Sequence, residues 1–332
     1  MNTTNGTDWH PSVRLQNFLK AVLRVYISSD SLCIILGNVI NIWLLLAILT
    51  SSDIRSRIRN KILACLCVCN IAESSILAPL ELSLNLRQVD RNVCILVELM
   101  YHLQCVLDFC SNWYLVIIFI LYIIQIKDID VSVYVNPTFH KIGPVLLVVS
   151  PMIIAILTVP VIMKVYHDEF LNLHKISYTC VFPTYSSLMI FKILDSVLPI
   201  LMVIILLVIA LYLRRQRLLI ESSGGSMEVE LINRTSPLDN VLPYVLAVAA
   251  TFVCNILEVV YSLSSDLHER SDFYTWFGFR TAQRFLLESR TYILPLSWIF
   301  LKDIGERIKT WRPWYRPGPG IDLTVMYSKE NA

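Results

Sequence analysis

The 332-residue sequence predicts an all-α integral membrane protein: a seven-transmembrane helix bundle with its N-terminus outside and a short amphipathic eighth helix after the last span. Three observations predict it. Hydrophobic residues make up 55% of the chain and charged residues only 16%, against roughly 45–50% and 25% in a soluble domain. Apolar runs of about 18 residues or more recur along the chain, each long enough to cross a bilayer core as a helix. Lysine and arginine also fall unevenly between the two sides of those runs. The net charge of +2 is too small for a nucleic-acid partner. Nine cysteines, mostly inside apolar runs, are too sparse for a disulfide scaffold.

Taken in order, residues 1–25 read as an extracellular tail with two glycosylation sequons, at Asn2 and Asn5, usable only outside the cell. The tail lacks the apolar core of a cleavable signal peptide, so the first span is expected to insert as its own signal. Spans are expected over about 26–50, 60–86, 102–134, 141–163, 187–214, 238–264 and 274–301. Six of them rest on the runs 31–49, 61–80, 109–126, 142–163, 196–213 and 240–257, of which the second carries one interior acid, Glu73. The seventh is the most polar: only 291–301 is free of charge, and extending it back to Thr275 admits Arg280, Arg284, Glu288 and Arg290. Topology requires it. With seven spans, sixteen basic residues lie inside and eight in the outer loops and tail, the asymmetry expected of an inner C-terminus. An outer start and an inner finish need an odd number of crossings. Residues 222–226, rich in glycine and serine, read as a flexible linker in the third inner loop. Residues 302–332 hold the eighth helix and a cytoplasmic tail, with Ile304, Ile308 and Trp311 on one stripe suited to the inner leaflet.

Local motifs sharpen this. Gly37-Asn38 lies in span 1. In span 2, Asn60 and Leu66 precede Asn70 by ten and four residues, and Pro79 follows it by nine. Pro199 sits in span 5, with the basic exit Arg214-Arg215-Gln216-Arg217 after it, and Pro295 sits in span 7. In order and spacing, over nearly the whole chain, these residues resemble the rhodopsin-like (class A) G-protein-coupled receptors. The departures are as informative. The family's span-2 Asp is Asn70 here. The Asp-Arg-Tyr at the end of span 3 is replaced by Ile129-Asp130-Val131, the Cys-Trp-x-Pro of span 6 by Cys254-Asn255-Ile256-Leu257, and the Asn-Pro-x-x-Tyr of span 7 by Leu294-Pro295-Leu296-Ser297-Trp298. The scaffold is kept and the activation switches are not.

Intramembrane charges are the main functional signal. Glu81 in span 2, Asp108 in span 3, Lys192 and Asp195 in span 5, Glu258 in span 6, and Arg280, Arg284 and Glu288 in span 7 all map to outer halves. An ionisable group in hydrocarbon costs about 2.5 kcal/mol or more, so such residues face a wet cavity or a partner. Together with Asn112, and with Trp113 beside it, they outline a polar ligand pocket opening outward. Lys192/Asp195 and Arg284/Glu288 are also spaced to neutralise each other on their own helices. Glu73 needs an interior partner that the sequence does not identify. The resemblance further implies a disulfide between Cys105, 25 residues before Asp130, and Cys180, with Cys94 as a rival partner. It implies a G-protein-facing rim at Lys127, Asp130, Arg214, Arg215 and Arg217, although the positive-inside rule accounts for each basic residue singly. Asp130, standing where the family has arginine, is expected to pair with Lys127, Arg214, Arg215 or Arg217. Such a water-facing pair is worth at most about 1 kcal/mol.

Neither catalysis nor a metal is expected. No nucleophile elbow, zinc motif or phosphate loop appears, and the six histidines lack ligand spacing. No cofactor is implied. The expected protein is therefore a multi-pass plasma-membrane receptor, not an enzyme. Its partners are an extracellular polar or charged ligand (small molecule or peptide), a heterotrimeric G protein and membrane lipid, with no nucleic acid. Three other readings stand beside it. One is a chemosensory receptor, because 134–140 (Tyr-Val-Asn-Pro-Thr-Phe-His) echoes an odorant-receptor inner loop; the missing Asp-Arg-Tyr argues against it. Another is a seven-helix transporter, which would show matching halves that are not visible here. The last is a receptor-like protein that does not signal.

Overall fold

The structure, a computed structural model, describes residues 13–86, 93–127, 142–158, 193–222, 238–263 and 272–310. Among them the chain is helical throughout, with no strand. α1 (Val13–Leu49) contains a π-helical turn at Cys33–Gly37. α2 is the short Ser52–Ser56. α3 runs through Ile58–Ala72, a π turn at Glu73–Leu77 and Ala78–Leu86. α4 is Val93–Ile126, α5 Ile142–Thr158, and α6 a π turn at Ile193–Val197 followed by Leu198–Ser222. α7 (Leu242–Leu263), α8 (Phe273–Trp298) and α9 (Lys302–Thr310) complete the order. Five of these, α1, α3, α4, α6 and α7, are long and apolar enough to cross a membrane. α5 is apolar but shorter, and α8 is long but interrupted by charge.

The helices overrun the apolar runs where amphipathic sequence continues them. α1 starts at Val13, inside the segment expected to be tail. Leu15, Phe18, Leu19, Val22 and Leu23 keep helical period there, and Phe18 packs edge-on against Tyr274 of α8, with ring centroids 5.0 Å apart. α4 begins nine residues before the expected 102, and α6 continues to Ser222 through good helix formers such as Arg, Gln and Leu.

α4 is the central pillar: 61% of its apolar window is buried, against 33% for α1 and for α6. Leu107, Cys110, Tyr114, Leu115, Ile118, Phe119 and Tyr122 of α4 meet Leu63, Leu66 and Cys67 of α3 and Val203 and Ala210 of α6 in one core. Ile35 and Val39 of α1 and Ile205 and Val208 of α6 point outward as an apolar coat. α8 packs along α7 and α1, and its inward residues Thr291, Leu294 and Trp298 are almost wholly buried.

Two prolines explain two asparagines. Pro295 cannot donate to the carbonyl of Thr291, four residues back, and that orphaned oxygen accepts instead from Asn41 Nδ2 of α1 at 2.7 Å. Pro199 orphans the carbonyl of Asp195 in the same way, and Asn112 Nδ2 of α4 donates to it at 2.8 Å. Asn41 also accepts from Asn70 Nδ2 at 3.0 Å, so α1, α3 and α8 share one buried knot. Gly37 lets them meet: a Cβ there would sit 2.9 Å from that of Ser74 and 3.3 Å from Thr291 Oγ1. Next to the knot, Asn38 accepts from Ser74 and Ser75.

At the far end of the bundle an aromatic block joins three helices. Tyr244 of α7 stacks on Tyr122 of α4 with centroids 3.8 Å apart, and meets Phe119 at 5.5 Å and Trp298 of α8 at 5.8 Å, both edge-on. α9 turns off just beyond Trp298, burying Ile304 and Ile308. Gly305 permits the turn, since a Cβ there would stand 2.8 Å from the carbonyl oxygen of Ile299.

Candidate functional site

The half of the bundle around Arg284 and Arg290 gathers the charges. Arg284 is a hub for three carboxylates on three helices. Its Nη2 donates to Asp30 Oδ1 of α1 at 2.8 Å and to Glu81 Oε2 of α3 at 2.6 Å, and its Nε donates to Glu288 Oε1, one turn along α8, at 2.6 Å. Tyr26 of α1 lies under the guanidinium, 4.7 Å from ring centroid to Cζ. Ser29 donates to the second oxygen of Glu288. The oxygens of Asp30, Glu81 and Glu288 lie within 4.8 Å of one another, the spacing of metal ligands, but the guanidinium bonds all three.

Deeper, Arg290 is 1% exposed and forms a second hub. It donates to Asp108 and, at 3.2 Å, to Asn112 Oδ1, both on α4. Glu73 of α3 approaches it to 3.8 Å, and Glu73 Oε2 makes no hydrogen bond among the described residues. Glu73 is 5% exposed. Its partner in the bundle interior is thus Arg290, shared with Asp108 at closer range. A buried carboxylate of this kind is costly unless compensated. Nearer the end of the bundle, Gln283 donates to Glu258 of α7 and accepts from Arg280 at 2.8 Å, and Arg280 lies 5.9 Å over the Trp276 ring.

Of the residues expected to line a ligand pocket, Glu81, Arg284 and Glu288 meet at one hub, Asp108 and Asn112 at the other, and Glu258 and Arg280 through Gln283. Asp195 is fully buried, its backbone carbonyl held by Asn112. Lys192 lies outside the described residues, as do Asn2, Asn5, Asp130, Cys180 and the side chain of Cys94. Cys105 is buried on α4. The sequence reading missed Tyr26, Ser29 and Asp30, because the uncharged run of the first span starts at Ser31, immediately beyond them. It also counted Arg290 as an interruption of the seventh span, whereas its guanidinium neutralises charge on α4 and α3. The available signal was the excess of acids over bases in the outer halves, which called for another buried cation.

The opposite end of the bundle carries a different polar group. Arg59, at the start of α3, donates to Asp239, just ahead of α7, and to Asp303 Oδ2, at the start of α9, the latter at 2.7 Å. Asn60 donates to the same Asp303 oxygen at 3.0 Å and to the Ile54 carbonyl at 2.8 Å. Tyr244 donates to Asp239 Oδ2 at 3.3 Å. Arg214 of α6 donates to the Asp239 carbonyl at 3.1 Å and to the Tyr122 hydroxyl at 3.0 Å. Arg217 donates to the carbonyl of Ile126 at 3.1 Å. Of the expected rim, Arg214 and Arg217 therefore bond to α4 and the foot of α7, Arg215 is exposed, and Lys127 is exposed in the turn after α4.

Comparison with models of known protein families gives no match for this chain, and no curated protein matches it in sequence.

Proposed function

We propose that the protein is a divergent rhodopsin-like G-protein-coupled receptor of the plasma membrane. In this reading α5 and α8 complete seven spans, the N-terminus is outside, and α9 lies on the inner leaflet as the eighth helix. A polar or charged extracellular ligand enters the half of the bundle around Arg284, and the end around Asp303 faces a heterotrimeric G protein. The observation that carries the reading is the convergence of charge from α1, α3, α4, α7 and α8 on one half of the interior, since ionisable groups within a membrane mark substrate and ligand pathways as well as structural pairs. The balance of that charge also speaks to the ligand. Among the described residues, Asp30, Glu73, Glu81, Asp108 and Glu288 surround two guanidiniums, Arg284 and Arg290. A ligand bearing positive charge, such as an amine, a guanidine or a basic peptide, relieves the surplus on entry, and an anionic one adds to it.

The test is a screen in transfected cells reading second messengers, with matched panels of cationic and anionic small molecules and peptides. The expected result is a response to a cationic member that weakens about tenfold or more in Glu81→Gln, at the half-exposed rim of the Arg284 hub. A response confined to anionic members overturns the ligand class. Accumulation of a labelled cation inside the cell with no second-messenger change overturns the receptor and favours a carrier.

A further inference from the structure

The carboxylates of the charged half are not held alike. Asp30, Glu81 and Glu288 each accept a hydrogen bond from Arg284, and Asp108 accepts one from Arg290. Glu73 is the exception. Its Oε2 stands 3.8 Å from Arg290 Nη2, beyond hydrogen-bond range, and accepts nothing among the described residues. Arg290 Nε is also buried and unbonded there. The guanidinium has turned its bonding donors to Asp108 and Asn112 of α4, leaving Glu73 beside it without a bond. The other groups that bear on Glu73 do not make up the deficit. From α1 there is the Cys33 thiol, with Asp30 close by; from α3, Glu81; from α4, Asp108; and from α8, Arg290 and Glu288. Asp195 of α6 and Cys254 of α7 bear on Arg290 itself. In that set Arg290 is the one cation among the described residues. The backbone is irregular at the same place: Glu73 opens the π turn of α3, and Asp195 lies in that of α6. Such turns occur frequently at functional sites.

We propose that Glu73 and Asp108 form a proton-binding site: the two carboxylates around Arg290 carry one exchangeable proton between them, and it rests on Glu73. The argument is one of charge. Two carboxylates and one guanidinium, all more than nine-tenths buried, leave one uncompensated negative charge in a medium of low dielectric. Where two acids share a site, holding both ionised is costly, and one keeps its proton. Asp108 has the hydrogen bond from the guanidinium and is the better-stabilised anion, which assigns the proton to Glu73. Uptake forms one O–H bond on a Glu73 oxygen, and loss returns the proton to water. Glu81, about two turns along α3 with its side chain 29% exposed, marks the route to solvent. The interior thus changes by one unit of charge with the acidity of the solution that reaches it. The proposal goes beyond the receptor reading and holds equally for a carrier.

The experiment is infrared difference spectroscopy on the full chain in lipid nanodiscs at neutral pH. A protonated buried carboxylic acid shows a carbonyl band above the amide region, and an ionised one does not. The wild type is expected to show such a band, to lose it reversibly in alkaline buffer, and to lack it as Glu73→Gln. Asp108→Asn separates sharing from mere burial. With its rival neutral, Glu73 takes the guanidinium, ionises and loses the band although its own side chain is untouched. If wild type has no band that Glu73→Gln removes, both carboxylates are ionised and the proposal is overturned. A band undiminished in Asp108→Asn overturns it as well, since Glu73 is then neutral through burial alone. If neither variant accumulates, wild type is synthesised with glutamate carrying heavy carbon at its side-chain carboxyl. A band that moves to lower frequency supports the proposal, and one that moves only with labelled aspartate overturns it.

Discussion

Arg290 illustrates how much one side chain decides. Among the described residues its guanidinium is the cation nearest Asp108 and Glu73, and all three side chains are more than nine-tenths buried. Removing one partner of a buried ion pair costs about 3–5 kcal/mol, because the remaining charge is left in low dielectric. Arg290→Met is therefore expected to lower the melting temperature in detergent sharply or abolish folded expression. The triple variant Arg290→Met/Asp108→Asn/Glu73→Gln should recover much of the loss. A triple variant no better than the single one contradicts the pairing. Asn41 works at a smaller scale. It supplies the hydrogen bond that Pro295 denies to the carbonyl of Thr291. Asn41→Leu should cost roughly 0.6–1.7 kcal/mol, the range of interhelical hydrogen bonds in lipid. In the Pro295→Ala background the loss should shrink, since an alanine at that position gives the carbonyl its own helical donor. Equal losses in both backgrounds would show that Asn41 acts through other contacts.

Among the elements, α9 depends most on a single residue. It departs from α8 within a few residues of Trp298, and Gly305 passes so close to the carbonyl of Ile299 that any side chain must push the two apart. Gly305→Ala is expected to loosen α9 and so to expose Ile304 and Ile308, read as faster amide hydrogen exchange over Lys302–Thr310 with the rest of the bundle unaffected. The helices also mark where sequence reading succeeds and where it stops. Apolar length alone located α3, α4, α5, α6 and α7, because a run of that composition has few other stable states. It missed the first turns of α1, where Phe18 and Leu19 are read as tail until Tyr274 is seen beside them. It also could not pair the charges: the Arg284–Glu288 bond is local and visible as i,i+4 spacing, but the contacts with Asp30 and Glu81 join residues 254 and 203 positions apart. No periodicity encodes such a contact. The same limit hid Arg59, whose partners lie 180 and 244 residues further along.

For the whole molecule, orientation is the first thing to establish. In the proposed topology Asn2 and Asn5 precede the first span and carry glycan. Treating cell-expressed protein with a glycan-removing enzyme should increase its gel mobility, and Asn2→Gln/Asn5→Gln should match the treated wild type. A double variant that runs with untreated wild type would invert the topology. It would leave the Arg59 contacts in place, since they do not depend on which side of the membrane they face.

The placement of the two arginine hubs on α8 has a consequence for how the protein is made. Asp30, Glu73, Glu81 and Asp108 leave the ribosome long before Arg284 and Arg290, so the acids enter the membrane first and wait for their counterions. α8 in turn is a poor candidate for unaided insertion, since each arginine near a helix centre adds about 2.5–3.5 kcal/mol on the biological insertion scale. Its partition into lipid becomes favourable only beside those earlier acids. In the proposed seven-span topology the last long helix thus acts as the closing step of biogenesis. A nascent chain that stops before Phe273 holds four stranded carboxylates, the kind of lesion on which membrane-protein quality control acts.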